Sequence, residues 1–127
     1  MLTITPCIEK QTLLTYCKKC RKPVSAGHYA YLAQNRDEVL AACLFEIQSD
    51  YVEALFYEAS DSLDAFLFDG VLRAGLNYAS KQGISQGIIP ETFRFSQRHL
   101  LEKLNYPLDT TFNIVNFFRK YKNCANV

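Results

Sequence analysis

Three glutamates lie on strand-like segments that are otherwise rich in apolar and aromatic residues. Glu46 lies in the segment VLAACLFEIQ, and Glu53 and Glu58 lie in YVEALFYE. A carboxylate in such surroundings can act as a general base that takes a proton from a substrate. The more common alternative is a solvent-facing position at the end or edge of a strand. Glu46 and Glu58 are the better candidates for a catalytic base.

A second group with possible chemistry is the CxxC pair formed by Cys17 and Cys20. A redox pair needs its first cysteine at a helix N-terminus, where the thiol pKa is lowered, but the pattern places both cysteines near a helix C-terminus. A zinc site needs two more ligands, and the sequence has neither a second CxxC nor an HxxxH motif. We therefore expect ordinary thiols and no bound metal, with metal or redox chemistry as the less common alternative.

Composition limits the compartment and the partners. The chain has 127 residues, a formal net charge of +1 and 49% hydrophobic residues, so we expect a single domain over residues 1–127. The balanced charge argues against a nucleic-acid or anionic membrane partner. No apolar run approaches the about 18–20 residues that span a bilayer. The first ten residues lack a secretory pattern, and an odd number of scattered cysteines fits a reducing compartment, so we expect a cytoplasmic protein.

The elements that position these residues follow from local patterns. Apolar alternation predicts strands, apolar spacing of three and four residues predicts helices, and a threonine followed by proline is typical of a helix start. The predicted elements are a strand at residues 2–5, a helix that starts at Thr5 and Pro6 and ends near Pro23, and three antiparallel strands at residues 28–34, 39–48 and 51–58.

The central segment, residues 61–83, predicts a long and largely buried helix. Asp61 or Ser62 can cap its start, and Gly83 lies just beyond its end. Gly70 and Gly75 each cost about 1 kcal/mol of helix propensity relative to alanine. We therefore expect another backbone, that of a sheet, to lie close against this helix.

The remaining chain predicts a short strand, a helix and a final strand. The apolar residues 87–90 predict a strand parallel to the strand at 51–58. A helix is expected from about Glu91 to Leu104, and a last strand from Thr111 to Phe118. The chain thus reads as strand, helix, three strands, helix, strand, helix and strand.

Two segments within this order of elements resemble the GNAT (N-acetyltransferase) superfamily. The sequence VLRA at residues 71–74, followed at the right distance by Gly83, is similar to a helix motif of that family, and LEKLNY at residues 101–106 is similar to its YEKLGF ending. The resemblance covers nearly the whole chain, with the helical region after the first strand shortened. It implies an α/β (α+β) GNAT-like fold with a mixed, mostly antiparallel sheet and helices on both faces.

The resemblance also implies a cofactor and a substrate class. A GNAT-like enzyme transfers an acyl group from acetyl-CoA or another acyl-CoA to an amine of a small molecule or peptide, and a homodimer stays an open alternative. The pantetheine arm would bind the strand edge formed by the backbone of Phe56, Tyr57 and Glu58. Non-standard cofactor contacts would come from the turn before and at the start of the central helix, with the residues Phe66, Phe68, Asp69 and Gly70.

The residues of the family's phosphate-binding loop differ in this chain. The signature Q/R-x-x-G-x-G/A, whose backbone N–H groups hold the pyrophosphate, falls on Leu63, Phe66 and Phe68. Both glycine positions therefore hold phenylalanine, and the aspartates at 61, 64 and 69 place negative charge beside the expected phosphates.

Two further family positions also differ. The tyrosine that protonates the leaving thiolate aligns with Leu101, and an asparagine near the start of the same helix aligns with Arg94. The sequence therefore predicts two alternatives: an acyl-CoA-dependent N-acyltransferase with a degenerate phosphate loop, or a GNAT-like fold that has lost CoA and works as a binding or assembly module.

Overall fold

The computed structural model of the protein describes residues 2–61, 63–90 and 95–122. The strands are β1 Leu2–Cys7, β2 His28–Asn35, β3 Glu38–Ile47, β4 Tyr51–Ala59, β5 Gln86–Ile88 and β6 Phe112–Asn113. The helices are α1 Lys10–Lys19, α2 Ala65–Lys81, α3 Phe95–Lys103 and α4 Ile114–Phe117, which continues as a π-helical turn, Phe118–Lys122.

All six strands form one sheet in sequence order, β1-β2-β3-β4-β5-β6. Neighbouring strands are antiparallel except β4 and β5, which are parallel. α1 packs on one face through Leu13, Tyr16 and Cys17, whereas α2 covers the other face and shares its larger buried cluster with α3 and α4. The predicted mixed, mostly antiparallel sheet with helices on both faces is therefore confirmed.

The central helix starts later than its sequence predicts. Asp64, not Asp61, is the N-cap, and its side chain accepts a hydrogen bond from the N–H of Leu67 at 3.1 Å. The alternative cap, Ser62, lies outside the described residues. The helix ends at Lys81, and Gly83 adopts a φ of 92°, a left-handed conformation that glycine adopts without strain.

The two glycines of α2 show what lies against this helix. A Cβ at Gly75 would overlap the ring of Phe45, which is fully buried on β3. The hydroxyl of Tyr29 also donates a hydrogen bond to the carbonyl of Gly75 at 2.6 Å. The sheet therefore does approach the helix closely at Gly75, but it does so through side chains of β2 and β3 rather than through backbone.

The helix predicted to start at Pro6 is wrong at its start. Pro6 is a residue of β1 and pairs with Tyr31 of β2, and α1 begins only at Lys10. Because β1 lies at the edge of the sheet, the missing N–H of a proline can face outward without breaking a hydrogen bond between strands. A proline fits both the first turn of a helix and an edge strand, and here the pairing of β1 with β2 places Pro6 in the strand.

The C-terminal part confirms one prediction and corrects another. β5 is parallel to β4, as predicted, whereas the start expected for α3 at Glu91 lies outside the described residues. The last strand is not an eight-residue strand but the two residues of β6, because the Asn113 side chain accepts from the N–H of Asn116 at 2.9 Å and so caps α4. Ile114 and Phe117 are both buried at helical spacing.

Candidate functional site

The sheet splits between its two parallel strands. β5 pairs only with residues 51–53 of β4, and β4 continues to Ala59. After β5, the carbonyl of Ile89 accepts a hydrogen bond from the N–H of Asp109 at 3.0 Å, on the side of the chain that faces β6. Within the described ranges, residues 54–59 of β4 therefore have a strand neighbour only on the β3 side.

A β-bulge lies in β4 at the beginning of this split. Leu44 of β3 pairs with Phe56, whereas the next residue, Phe45, pairs with Ala54, so that Leu55 is the extra residue. Leu55 and Phe56 both pack in the cluster on the α1 face. A bulge bends its strand and increases the local twist, which is consistent with the separation of β4 from β5 at this point.

The carbonyl of Tyr57 faces the split and is bonded by a side chain from α3. Gln97 donates its Nε2–H to this carbonyl at 3.0 Å, and the Gln97 side chain is buried, with 3% exposure. The ring of Tyr57 is also buried and packs edge-on against Phe68, with ring centroids 4.7 Å apart. No local pattern in the sequence indicates Gln97, because its partner lies forty residues earlier in the chain.

At the start of α2, two carboxylates bond the N–H groups that would face a bound phosphate. Asp61 accepts from the N–H of Leu63 at 3.0 Å, and Asp64 bonds the N–H of Leu67 as described above. Of the three residues that the resemblance aligns with a phosphate loop, Leu63 is 70% exposed and Phe66 is 73% exposed, whereas Phe68 is buried. The two phenylalanines predicted to contact a cofactor thus lie in different surroundings, Phe66 in solvent and Phe68 in the core.

Asp69 and Gly70 lie one turn further along α2. The carboxylate of Asp69 accepts a hydrogen bond from the hydroxyl of Tyr106 at 2.8 Å, and burial, followed by the charge of Asp69, raises the pKa of this tyrosine. Gly70 faces the end of the Ile4 side chain on β1. Both residues therefore contact other parts of the fold, and their predicted role in cofactor binding stays a prediction.

The two candidate bases lie on the α1 face of the sheet but far apart. Glu58 forms an ion pair with Lys19 of α1, and both side chains are close to half exposed. In the register of β3, Glu58 lies opposite Ala42, and Glu46 lies opposite Glu53. The two glutamates are thus four residues apart along β3, or about 13 Å, so they do not act on the same atom.

Glu46 belongs to a polar corner with Ser25 and His28. The Ser25 hydroxyl donates to Glu46 Oε2 at 3.0 Å, and His28 Nδ1 accepts from the Ser25 N–H at 2.9 Å. The proton of a neutral His28 ring is therefore on Nε2, which lies 3.6 Å from Glu46 Oε1. The His28 ring is buried, and its position opposite Glu46 in the β2–β3 hairpin is the signal by which the sequence could have indicated this pair.

This corner adjoins a cavity of about 700 Å³ at the β1 edge of the sheet. β1 stops pairing with β2 at Ala30, so in the part of the chain that the structure describes the preceding residues of β2 have no strand neighbour on that side. Apolar side chains from both faces of the sheet surround the cavity, together with Lys10 at the start of α1. The cavity lies beside β1 and β2, away from the split between β4 and β5. Glu46 is not among its lining residues.

The CxxC cysteines are poorly suited to nucleophilic chemistry. Burial is the largest cause that raises the pKa of both Cys17 and Cys20.

Among the described residues, no group of three or more His, Cys, Asp or Glu side chains could hold a metal ion, and no helix is both long and apolar enough to cross a membrane. Cys124 and Arg94 lie outside the described residues, and Leu101 is fully buried.

No protein-family model and no curated protein sequence matches this chain. Solved structures do match. The ribosomal-protein-S18-alanine N-acetyltransferase from Escherichia coli has a TM-score of 0.61 at 14% identity, with 82% of this chain and 76% of that chain covered. An IAA acetyltransferase from Bacillus cereus ATCC 14579 has a TM-score of 0.58 at 18% identity, with 81% and 75% covered.

A third similar structure, a GNAT family acetyltransferase from Elizabethkingia anophelis with acetyl-CoA bound, has a TM-score of 0.54 at 14% identity, with 80% of this chain and 73% of that chain covered. The three proteins share little sequence with this chain, so the likeness concerns the arrangement of strands and helices. The protein has the fold of the GNAT N-acetyltransferases.

Proposed function

We propose that this protein is an N-acyltransferase that moves an acetyl or other acyl group from an acyl-CoA to an amine of a small molecule or peptide. The observation that carries the proposal is the split between β4 and β5, where residues 54–59 of β4 have no parallel neighbour among the described residues. An extended ligand with amide groups can add to such a strand edge through backbone hydrogen bonds. The pantetheine arm of CoA is a ligand of this kind.

The pantetheine arm of CoA fits this protein better than its pyrophosphate does. The edge of β4 at Phe56, Tyr57 and Glu58 fits the pantetheine arm, because backbone contacts need no particular side chain. The start of α2 does not fit a pyrophosphate in the usual way, since the carboxylates of Asp61 and Asp64 already accept from N–H groups there. The phosphates would then make contacts outside this turn, and most of the affinity would come from the arm.

The chemistry requires one proton acceptor. The amine nitrogen forms a bond to the thioester carbonyl carbon, the amine gives one proton to a base, and the carbon–sulfur bond breaks. The sulfur leaves as a thiolate, which then takes a proton from the protonated base or from water. Glu58 is the better candidate of the two glutamates, because it lies on β4 beside the split and half of its side chain reaches solvent. Glu46 lies about 13 Å away along the sheet and is hydrogen bonded to Ser25.

The direct test is titration of the purified protein with acetyl-CoA by calorimetry and by thermal shift. We expect binding, and an absence of both heat and thermal shift at millimolar acetyl-CoA would refute the enzyme. Glu58→Gln should lower turnover at least about tenfold with little change in Kd, as expected for loss of a general base. Glu46→Gln is the matched control and should leave turnover nearly unchanged; unchanged turnover in both variants would remove both residues as bases.

A second function is favoured by the start of α2. Two carboxylates bond backbone N–H groups there, and the apolar Leu63 and Phe66 beside them are exposed. Under this alternative the protein is a binding or assembly module without CoA. The double variant Asp61→Asn, Asp64→Asn separates the two: it should tighten CoA binding in the enzyme by removing two negative charges, and it should create no binding in the module.

A further inference from the structure

We infer that Gln97 occupies the acyl-donor site with its own carboxamide, and that this side chain must leave the carbonyl of Tyr57 before an acyl-CoA binds there. The inference rests on the proposed function, because it concerns the same strand edge. It adds a residue that controls which donors use the edge and how tightly they bind. Neither the strand pattern nor the fold by itself assigns such a role to Gln97.

The hydrogen bond lies where a ligand strand would add to the sheet. Gln97 is near the start of α3, which follows β5 in the chain, and its Nε2 reaches the Tyr57 carbonyl on the side of β4 that β5 has left. The carbonyl of Tyr57 is thus already bonded within the protein.

The burial of Gln97 makes the contact exclusive. Its side chain has 3% exposure, and Leu100 and Leu101 of the same helix are buried beside it in the cluster that contains Tyr57. A carbonyl oxygen has two lone pairs, but a ligand amide that approaches along the strand edge needs the space that the buried carboxamide fills. Binding of the arm therefore displaces Gln97.

The displaced and the arriving groups are chemically alike. Gln97 offers an amide N–H to the carbonyl, and the pantetheine arm offers an amide N–H in its place, so one hydrogen bond is exchanged for another. A buried carbonyl left without a donor is costly, which disfavours any ligand that displaces Gln97 without supplying an N–H. Gln97 thus selects donors that carry an amide at this position and weakens the binding of those that do.

Calorimetry on one matched pair of variants tests this. Gln97→Met keeps the length of the side chain and removes the donor, whereas Gln11→Met makes the same change at an exposed position on α1. We expect Gln97→Met to bind both acetyl-CoA and pantetheine about fivefold more tightly than wild type, the effect of one competing hydrogen bond. Gln11→Met should bind like wild type, and equal or weaker binding by Gln97→Met would overturn the inference.

The same titrations distinguish this inference from the proposed function. If wild type and Gln97→Met bind acetyl-CoA equally well, the proposed donor site is supported and the proposed role of Gln97 is refuted. If both bind and Gln97→Met binds more tightly than wild type, the inference is supported. If neither form binds at millimolar acetyl-CoA or pantetheine, the proposed function falls and the inference falls with it.

A measurement on the wild-type protein keeps the inference testable if Gln97→Met does not fold. The side-chain N–H₂ signals of Gln97 in a ¹⁵N-labelled sample report its hydrogen bond, and they can be assigned from backbone connectivities. On saturation with pantetheine we expect these signals to move and to exchange faster with water. Pantetheine binding that leaves both signals unchanged would show that Gln97 stays on Tyr57, which would overturn the inference.

Discussion

The two glycines within α2 should respond oppositely to the same substitution. A Cβ added at Gly75 meets the ring of Phe45, which has 0% exposure and stacks on Tyr29 with ring centroids 5.2 Å apart. A Cβ added at Gly70 comes within 2.6 Å of a single atom, the terminal Cδ1 of Ile4 on the edge strand. A rigid ring enclosed by the core cannot yield as a flexible side-chain end can.

The expected magnitudes follow from two opposing effects. Each substitution gains about 1 kcal/mol of helix propensity. At Gly75 this gain is outweighed by overpacking, which costs about 1–3 kcal/mol, and by the disturbed stacking of the rings, which costs about 0.5–1.5 kcal/mol. We expect Gly75→Ala to lose about 1–2 kcal/mol of unfolding free energy, and Gly70→Ala to be neutral or to gain up to about 1 kcal/mol.

Urea denaturation of the wild type and both variants measures this difference. The midpoint should fall for Gly75→Ala and stay or rise for Gly70→Ala with unchanged m values, and the melting temperatures should move by about 3–5 °C per kcal/mol. The double variant Gly75→Ala, Phe45→Leu serves as the control, because a smaller side chain on β3 should make its loss smaller than the sum of the two single losses. Equal stabilisation by both glycine substitutions would refute the packing of Phe45 against α2.

Three further predictions concern the polar and thiol groups. Tyr106→Phe should lower the unfolding free energy by about 1.5–3 kcal/mol in urea denaturation at pH 7. Because burial and Asp69 raise the pKa of Tyr106, this stabilisation is complete below about pH 10 and declines as the pH rises towards the folded pKa. A difference in unfolding free energy between wild type and variant that stays constant above about pH 10 would contradict it. Asp64→Ala should cost about 1 kcal/mol through loss of the N-cap of α2, whereas Asp64→Asn should retain most of that stability, and equal losses would argue against the cap. Burial raises the pKa of Cys17 and Cys43, so peptide mapping after iodoacetamide treatment of the native protein at pH 7.5 should find both unmodified, and labelling as fast as in the unfolded chain would disprove this.

Much of the fold could be predicted because its signals are local. The hairpin strands β2 to β4 have continuous apolar and aromatic patterns, and their ends lie within one residue of the predicted positions. The parallel β5 followed from a short apolar segment after a helix. At Pro6 and at Asn113 the local pattern was compatible with both a strand and a helix start. Strand pairing determined the structure at Pro6, and side-chain capping determined it at Asn113.

The candidate site was predicted less completely, because its contacts join distant parts of the chain. The strand edge at Phe56, Tyr57 and Glu58 followed from the resemblance, and the start of α2 was expected to place carboxylates at its N–H groups. Lys19 as the partner of Glu58, and Ser25 and His28 as the partners of Glu46, depended on which residues α1 and the β2–β3 register bring together.

The sequence alone therefore determined the order of the elements and the parallel strand. Periodicity and residue type act over a few neighbouring residues, and each of these features is of that range. Only the tertiary structure decided that β4 separates from β5 after residue 53 and that Gln97 bonds the buried carbonyl of Tyr57. A buried backbone acceptor must find a donor, and which donor reaches it depends on how the helices pack on the sheet.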